Sequence, residues 1–348
     1  LILLVLSGVF FVIIDENKSS NSEGNRGLYG DLLPDTRDER SSTPNNSDTT
    51  GASDANKLPS RTDTTKTTDA NTDSDCVSMP CATESEGEQK NQENEEKEIH
   101  YNGVGVDVVI DIPDKGYTGN STDVLVVYPG TVEDDSKTID AAKKLLENTK
   151  NTIERDDLLL VSVAYPQEEL LLGDNIREAE AALLWVKNEA SQDLGVNIDD
   201  VYLLGHSQGG YLVTRLNTMH KTSGVIANAP GPINIVFTCR LNERGTENMP
   251  ANKACALLKE EYGSVLQNPG PYAARSLINF SSGYKSDILF VQGMQDKKIQ
   301  TVLWPKFKEK VSQCADCSDY SFLEIEDGGH GAAFSSPEAK QAIDEFLK

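Results

Sequence analysis

At 348 residues, with a net charge of −24 and a pI near 4.5, the chain is a poor partner for nucleic acid or for an anionic lipid surface. Six cysteines fit an exported, oxidising setting. By proximity in sequence they pair as Cys76 with Cys81, Cys239 with Cys255, and Cys314 with Cys317. Zinc is disfavoured, because Cys314-Ala-Asp-Cys317 has no second ligand pair at a suitable spacing.

The chain opens on fourteen apolar residues, "LILLVLSGVFFVII", which read as a signal or membrane anchor truncated at its start. No small-x-small site follows Ile14, which favours a retained anchor, and either reading exports the domain. Any membrane contact is expected through this segment alone. Residues 15–98 are dominated by Ser, Thr, Asn, Asp, Glu and Gly. Such a stretch buries too little apolar surface to offset its ordering entropy, so it reads as a disordered acidic linker. Its scaling as a flexible chain gives a reach of roughly 50 Å.

From residue 99 to 348 the pattern changes to strand-like and helix-like segments in alternation. "VGVDVVIDI" (104–112) alternates like a half-exposed strand. "DVLVVYPG" (123–130), "LLLVSVAYP" (158–166), "DVYLLG" (200–205), "GVIANAP" (224–230), "DILFVQG" (287–293) and "YSFLEIE" (320–326) read as further strands. Helices are predicted over 136–150, 175–190, 209–220, 302–313 and 336–348. In the second of these Ile176, Ala179, Ala182, Leu183 and Val186 share one face. Apolar strands alternating with helices predict an α/β fold, a mostly parallel twisted sheet covered on both faces. Ligands in such sheets bind beyond the carboxyl ends of the strands. Residues 231–285 interrupt the alternation and read as a small cap insertion pinned by the Cys239–Cys255 pair.

Gly205-His206-Ser207-Gln208-Gly209 lies between a predicted strand and a predicted helix. This is the context that a G-x-S-x-G nucleophile elbow requires: a strained turn exposes the serine hydroxyl, and the next N–H, here of Gln208, faces a developing oxyanion. A serine nucleophile needs a base. Of the four histidines, His100 is read as lying in the linker, His206 is expected to point away from its neighbour, and His220 sits late in the following helix. His330, in "EDGGHGAAF" after the last strand, is placed to reach Ser207. Asp296, after the penultimate strand, completes the order Ser…Asp…His, with Asp327 as its competitor. A second oxyanion N–H is expected from Gly130 or Thr131, to which the Tyr128 hydroxyl is a possible addition. Pro129 has no N–H to give.

On the segments "GHSQGG" (205–210), "YAARSLINF" (272–280), "ILFVQGMQDKKI" (288–299) and "DGGHGAAF" (327–334), residues 104–348 resemble the α/β-hydrolase family. The closest flavour is the prolyl-oligopeptidase-type catalytic domain and its dienelactone-hydrolase-like relatives. The resemblance implies acyl transfer by Ser207, Asp296 and His330. "YPG" stands where the family commonly has a His-Gly loop, and no propeller domain precedes the catalytic part.

The expectation is a serine hydrolase of a small carboxylic ester, with no metal or organic cofactor. A peptidase acting on short peptides is the alternative, with Glu243, Glu260 or Glu261 in the cap as candidate partners for a peptide amine. A binding protein that kept the fold without the chemistry is the other.

Overall fold

A computed structural model describes residues 94–113, 121–132, 134–166, 175–245 and 253–348. The amino-terminal apolar run, the acidic linker up to residue 93, and Cys76 and Cys81 lie outside the described residues. Asn91–Lys348 forms one compact unit.

Its centre is an eight-stranded sheet in the order β1-β2-β4-β3-β5-β6-β7-β8. The strands are β1 (Glu95–Tyr101), β2 (Val104–Asp111), β3 (Ser121–Tyr128), β4 (Leu159–Ala164), β5 (Asn197–His206), β6 (Gly224–Asn228), β7 (Ile288–Gly293) and β8 (Tyr320–Ile325). β2 runs antiparallel to both β1 and β4, and every pair from β4 to β8 is parallel. Within the parallel portion β4, β6 and β7 are buried along their whole length, so they are continuous apolar runs in the sequence, whereas the edge strand β8 is only partly covered.

Ten α-helices accompany the strands among the described residues. They are α1 (Thr138–Lys150), α2 (Ile176–Asn188), α3 (Ala190–Leu194), α4 (Gln208–Met219), α5 (Ile235–Glu243), α6 (Lys253–Tyr262), α7 (Gly270–Ala273), α8 (Lys298–Val311), α9 (Ala332–Ser335) and α10 (Pro337–Phe346). Ala142 and Leu146 of α1, with Ala339 and Ile343 of α10, join Leu125, Val127, Leu160, Leu204 and Val291 in one core cluster. The intervening strand residues Val126, Leu203 and Val225 are equally buried, which is the signature of a sheet covered on its other face too.

The sequence reading and the structure part company at the amino-terminal edge. β1 starts at Glu95, inside the stretch read as linker, and carries His100. Its sequence, "EEKEIHY", hides a strand because only Ile99 is buried; Lys97 and Tyr101 are half-buried and the other four residues are exposed at the sheet edge, where charge is the normal dressing. The helix expected over 302–313 begins four residues earlier, at Lys298.

Between β6 and β7 the expected insertion contains α5, α6, α7 and a 3₁₀ turn at Leu277–Phe280. It has an apolar cluster of its own: Ile235, Cys239, Cys255, Leu258, Val265 and Tyr272. Cys239 and Cys255 are disulfide-bonded inside it, and Cys314 is bonded to Cys317 after α8. Both bonds fit an oxidising compartment. No helix among the described residues is long and apolar enough to cross a membrane.

The Cys239–Cys255 bond closes a loop spanning 16 positions. On loop-closure entropy, the Cys239→Ala/Cys255→Ala variant is expected to lose about 3 kcal/mol of stability, read from urea unfolding of the whole chain.

Candidate active site

The parallel strands end along one edge of the sheet, and the candidate residues gather there. β5 ends at His206, and α4 begins at Gln208. Ser207, between them, has φ 57° and ψ −115°. A non-glycine residue in this region is strained, and the surrounding hydrogen bonds hold it. The Ser207 N–H donates to the Asn228 carbonyl at 2.9 Å. The Ser207 carbonyl accepts from the N–H groups of Tyr211 and Gly231, each at 3.1 Å.

Gly209 explains the last position of the motif. A Cβ built there would stand 1.9 Å from the Tyr128 carbonyl oxygen, so only glycine lets α4 lie this close to the end of β3. The same approach brings the Gly130 backbone over the serine: a Cβ on Gly130 would stand 3.1 Å from Ser207 Cβ. Thr131 ties this loop to the elbow, its hydroxyl donating to Gln208 Oε1 at 2.9 Å. The Tyr165 hydroxyl donates to the Pro129 carbonyl on the same loop. Gln208 is the first residue of a helix, where N–H groups lack intrahelical partners. Gly130 and Gln208 thus flank Ser207. Tyr128 does not join them: its side chain is buried and its hydroxyl donates to the Ala179 carbonyl at 3.0 Å.

Asp296 follows β7, and its side chain has no exposed surface. Its Oδ2 accepts from Gln292 Nε2 at 3.1 Å and lies 2.8 Å from His330 Nδ1; its Oδ1 accepts from the Lys297 N–H at 2.6 Å. Burial alone raises this carboxyl's pKa. The hydrogen bonds from His330, Gln292 and the Lys297 N–H outweigh it and hold the group below the ordinary carboxylate range. Asp327, the competitor, is exposed, and the bond from His330 Nδ1 goes to Asp296.

Gly293 sets the height of the histidine loop. A Cβ there would stand 2.1 Å from the Gly329 carbonyl oxygen and 2.4 Å from that of Gly328. The Gln295 N–H donates to the Gly328 carbonyl at 2.8 Å, fastening the acid loop to the base loop.

The His206 ring lies 4.9 Å from the His330 ring, centroid to centroid, and 5.4 Å from that of Phe334, a proximity the sequence reading did not foresee. Its Nδ1 pairs with the Asn228 amide nitrogen at 2.9 Å. Burial first, and then the neighbouring His330, push its pKa from 6.5 to about 4. It is therefore a neutral imidazole packed on the candidate base. The histidine next to the serine in the pentapeptide was the available signal. The other two histidines lie elsewhere: His220 Nε2 pairs with Glu180 at 2.6 Å, and exposed His100 sits beside Glu98.

The fold defined by this sheet and these loops is the α/β-hydrolase fold, and comparison with solved structures agrees. The chain is similar to a structure described among two fungal esterases from Rhizomucor miehei, at 16% identity and TM-score 0.52, covering 73% of this chain and 81% of that one. A structure described as an arylesterase gives 15% identity and TM-score 0.51 over 73% and 81%. A Pyrococcus horikoshii acylaminoacyl peptidase gives 12% and 0.51, with 73% of this chain on 41% of that one. At the level of sequence, no protein-family model and no curated protein matches.

The depressed value of His206 has a consequence for stability. As pH falls, the unfolded chain takes up this proton near pH 6.5 and the folded chain only near pH 4. Its contribution is therefore complete above about pH 6.5 and is lost between there and about pH 4, on the order of 3 kcal/mol in all. Urea unfolding across this range should show the loss in the wild type and a visibly flatter profile in His206→Gln.

Proposed function

We propose that the chain is a serine hydrolase that cleaves small carboxylic esters through an acyl-enzyme, with Ser207 as nucleophile, His330 as general base and acid, and Asp296 as the carboxylate that orients His330. The observation that carries the reading is the 2.8 Å pairing of His330 Nδ1 with a fully buried carboxylate, on a loop whose histidine also packs on the residue preceding a strained serine. A buried carboxylate bonded to Nδ1 fixes the imidazole tautomer and leaves Nε2 as the group that exchanges a proton.

In the proposed reaction His330 Nε2 takes the Ser207 proton as Oγ attacks the carbonyl carbon. The N–H groups of Gln208 and of Gly130 or Thr131 receive the oxyanion. His330 then protonates the leaving alcohol, and water repeats the cycle on the acyl-enzyme. The steps need no metal or organic cofactor. We further propose that the domain works outside the cell, consistent with its two disulfides.

The peptidase alternative draws on the acylaminoacyl peptidase among the similar structures. It loses one of its supports in the insertion. Glu243 accepts from the Ser264 hydroxyl and from the Val265 N–H at 3.1 Å, so that carboxylate is committed to the insertion's own turn. Glu260 and Glu261 are exposed on α6. These observations favour the ester.

Turnover of a short p-nitrophenyl ester by the whole chain, beside an aminoacyl amide, tests the reading. Ser207→Ala is expected to lower kcat roughly 10⁴-fold or more. Wild-type-like turnover in that variant would exclude Ser207 as the nucleophile. Amide turnover exceeding ester turnover would favour the peptidase, and a folded wild type inert to both would favour the binding protein.

A further inference from the structure

We propose that Gln292 and Gln300 are positioning residues that lock the Asp296–His330 pair to the backbone of the nucleophile elbow; the inference rests on the serine hydrolase reading above. Gln292 occupies the penultimate position of β7 and has no exposed surface, and Gln300, in the first turn of α8, is buried. Two long amides in an apolar setting are costly unless their hydrogen bonds are made. Here those bonds run toward the site. Gln292 Nε2 donates to Asp296 Oδ2 at 3.1 Å and to the Gly293 carbonyl at 2.8 Å. Gln292 Oε1 accepts from Gln300 Nε2 at 3.3 Å. Gln300 Nε2 also donates to the Pro230 carbonyl at 2.7 Å. The next residue, Gly231, donates its N–H to the Ser207 carbonyl at 3.1 Å. A continuous path therefore links the serine's main chain, through two amides and the aspartate, to the histidine.

The chemistry at each link requires an amide. Asp296 Oδ2 faces His330 Nδ1 and a second donor at once, and that donor must be neutral to leave the carboxylate's charge for the imidazole. A glutamate at 292 would set two carboxylates against each other. An apolar side chain would leave one lone pair of a buried carboxylate unpaired. Gln292 also needs its acceptor end, because Gln300 is the group that reaches the elbow wall at Pro230. Both act through Asp296 and neither is assigned contact with substrate.

Two readouts on the full chain test this, the titration of the His330 ring protons by NMR and ester turnover. The other titratable or charged groups around the pair are His206 and Lys297. In Gln292→Met the Asp296 carboxylate loses a donor, so its charge falls more fully on the imidazolium and His330 titrates at higher pH. The expected rise is about half a unit or more, with kcat down about tenfold and KM within about twofold. Gln300→Met should shift the titration in the same direction by less. The double variant should match Gln292→Met rather than the sum of the two, because the residues lie on one path. A folded Gln292→Met with wild-type titration and kcat would overturn the proposal, since a residue that only fills space alters stability and neither readout. Should Gln292→Met not fold, Gln292→Asn keeps the amide but is one methylene short of Asp296, and the same rise is expected; no rise would overturn the proposal. The titration needs no substrate. An inert wild type would therefore count against the hydrolase reading, while the NMR result would still decide on the positioning pair.

Discussion

Main chain pressed against main chain is the constraint from which the rest follows. At Gly209 the elbow helix lies on the Tyr128 carbonyl, and at Gly293 the end of β7 lies under the Gly328 and Gly329 carbonyls. Each contact leaves no room for a Cβ. Together they bring the loops after β3, β5, β7 and β8 to one edge of the sheet without any side chain between them. Parallel pairing from β4 to β8 makes this possible, since it puts the carboxyl ends of these strands on the same side. The side chains that follow the strands then need only short reaches to meet.

Electrostatics within this frame depends on burial. Asp296 is kept ionised by three hydrogen-bond donors although it is enclosed. His206 lacks such support for a charge and stays neutral beside His330. One ionised acid and one neutral imidazole therefore flank the candidate base. In the proposed reaction, a second cation is thereby kept away from a histidine that carries a positive charge during acyl transfer.

Much of this frame was legible in the sequence, and the reasons are local. Strands buried on both faces leave apolar runs such as "ILFV", and the elbow leaves a pentapeptide whose glycines have steric causes. The positions of Asp296 and His330 followed from strand order. What escaped was set by contacts between distant segments. β1 is a strand only because β2 pairs with it, and its charged residues carry no apolar alternation. The burial of the Tyr128 hydroxyl depends on Ala179 in α2. The nearness of His206 to His330 depends on a loop more than a hundred residues later. Gln292 did leave a trace, a polar side chain at the end of an apolar strand, but its meaning depended on knowing what lay beside it.

The insertion between β6 and β7 is built on a different footing from the sheet. Its apolar cluster shares no residue with the main core cluster. Its two ends are stitched side by side, the Leu277 N–H bonded to the Pro232 carbonyl at 3.0 Å and the Ile278 N–H to the Ile233 carbonyl at 2.9 Å. The chain thus leaves the frame and returns to it through adjacent points, as a detachable module would. A segment joined in this way can be lengthened, shortened or exchanged with little change to the strand ends that carry Ser207, Asp296 and His330. Evolution and the protein engineer alike can then vary the inserted segment while leaving those strand ends in place.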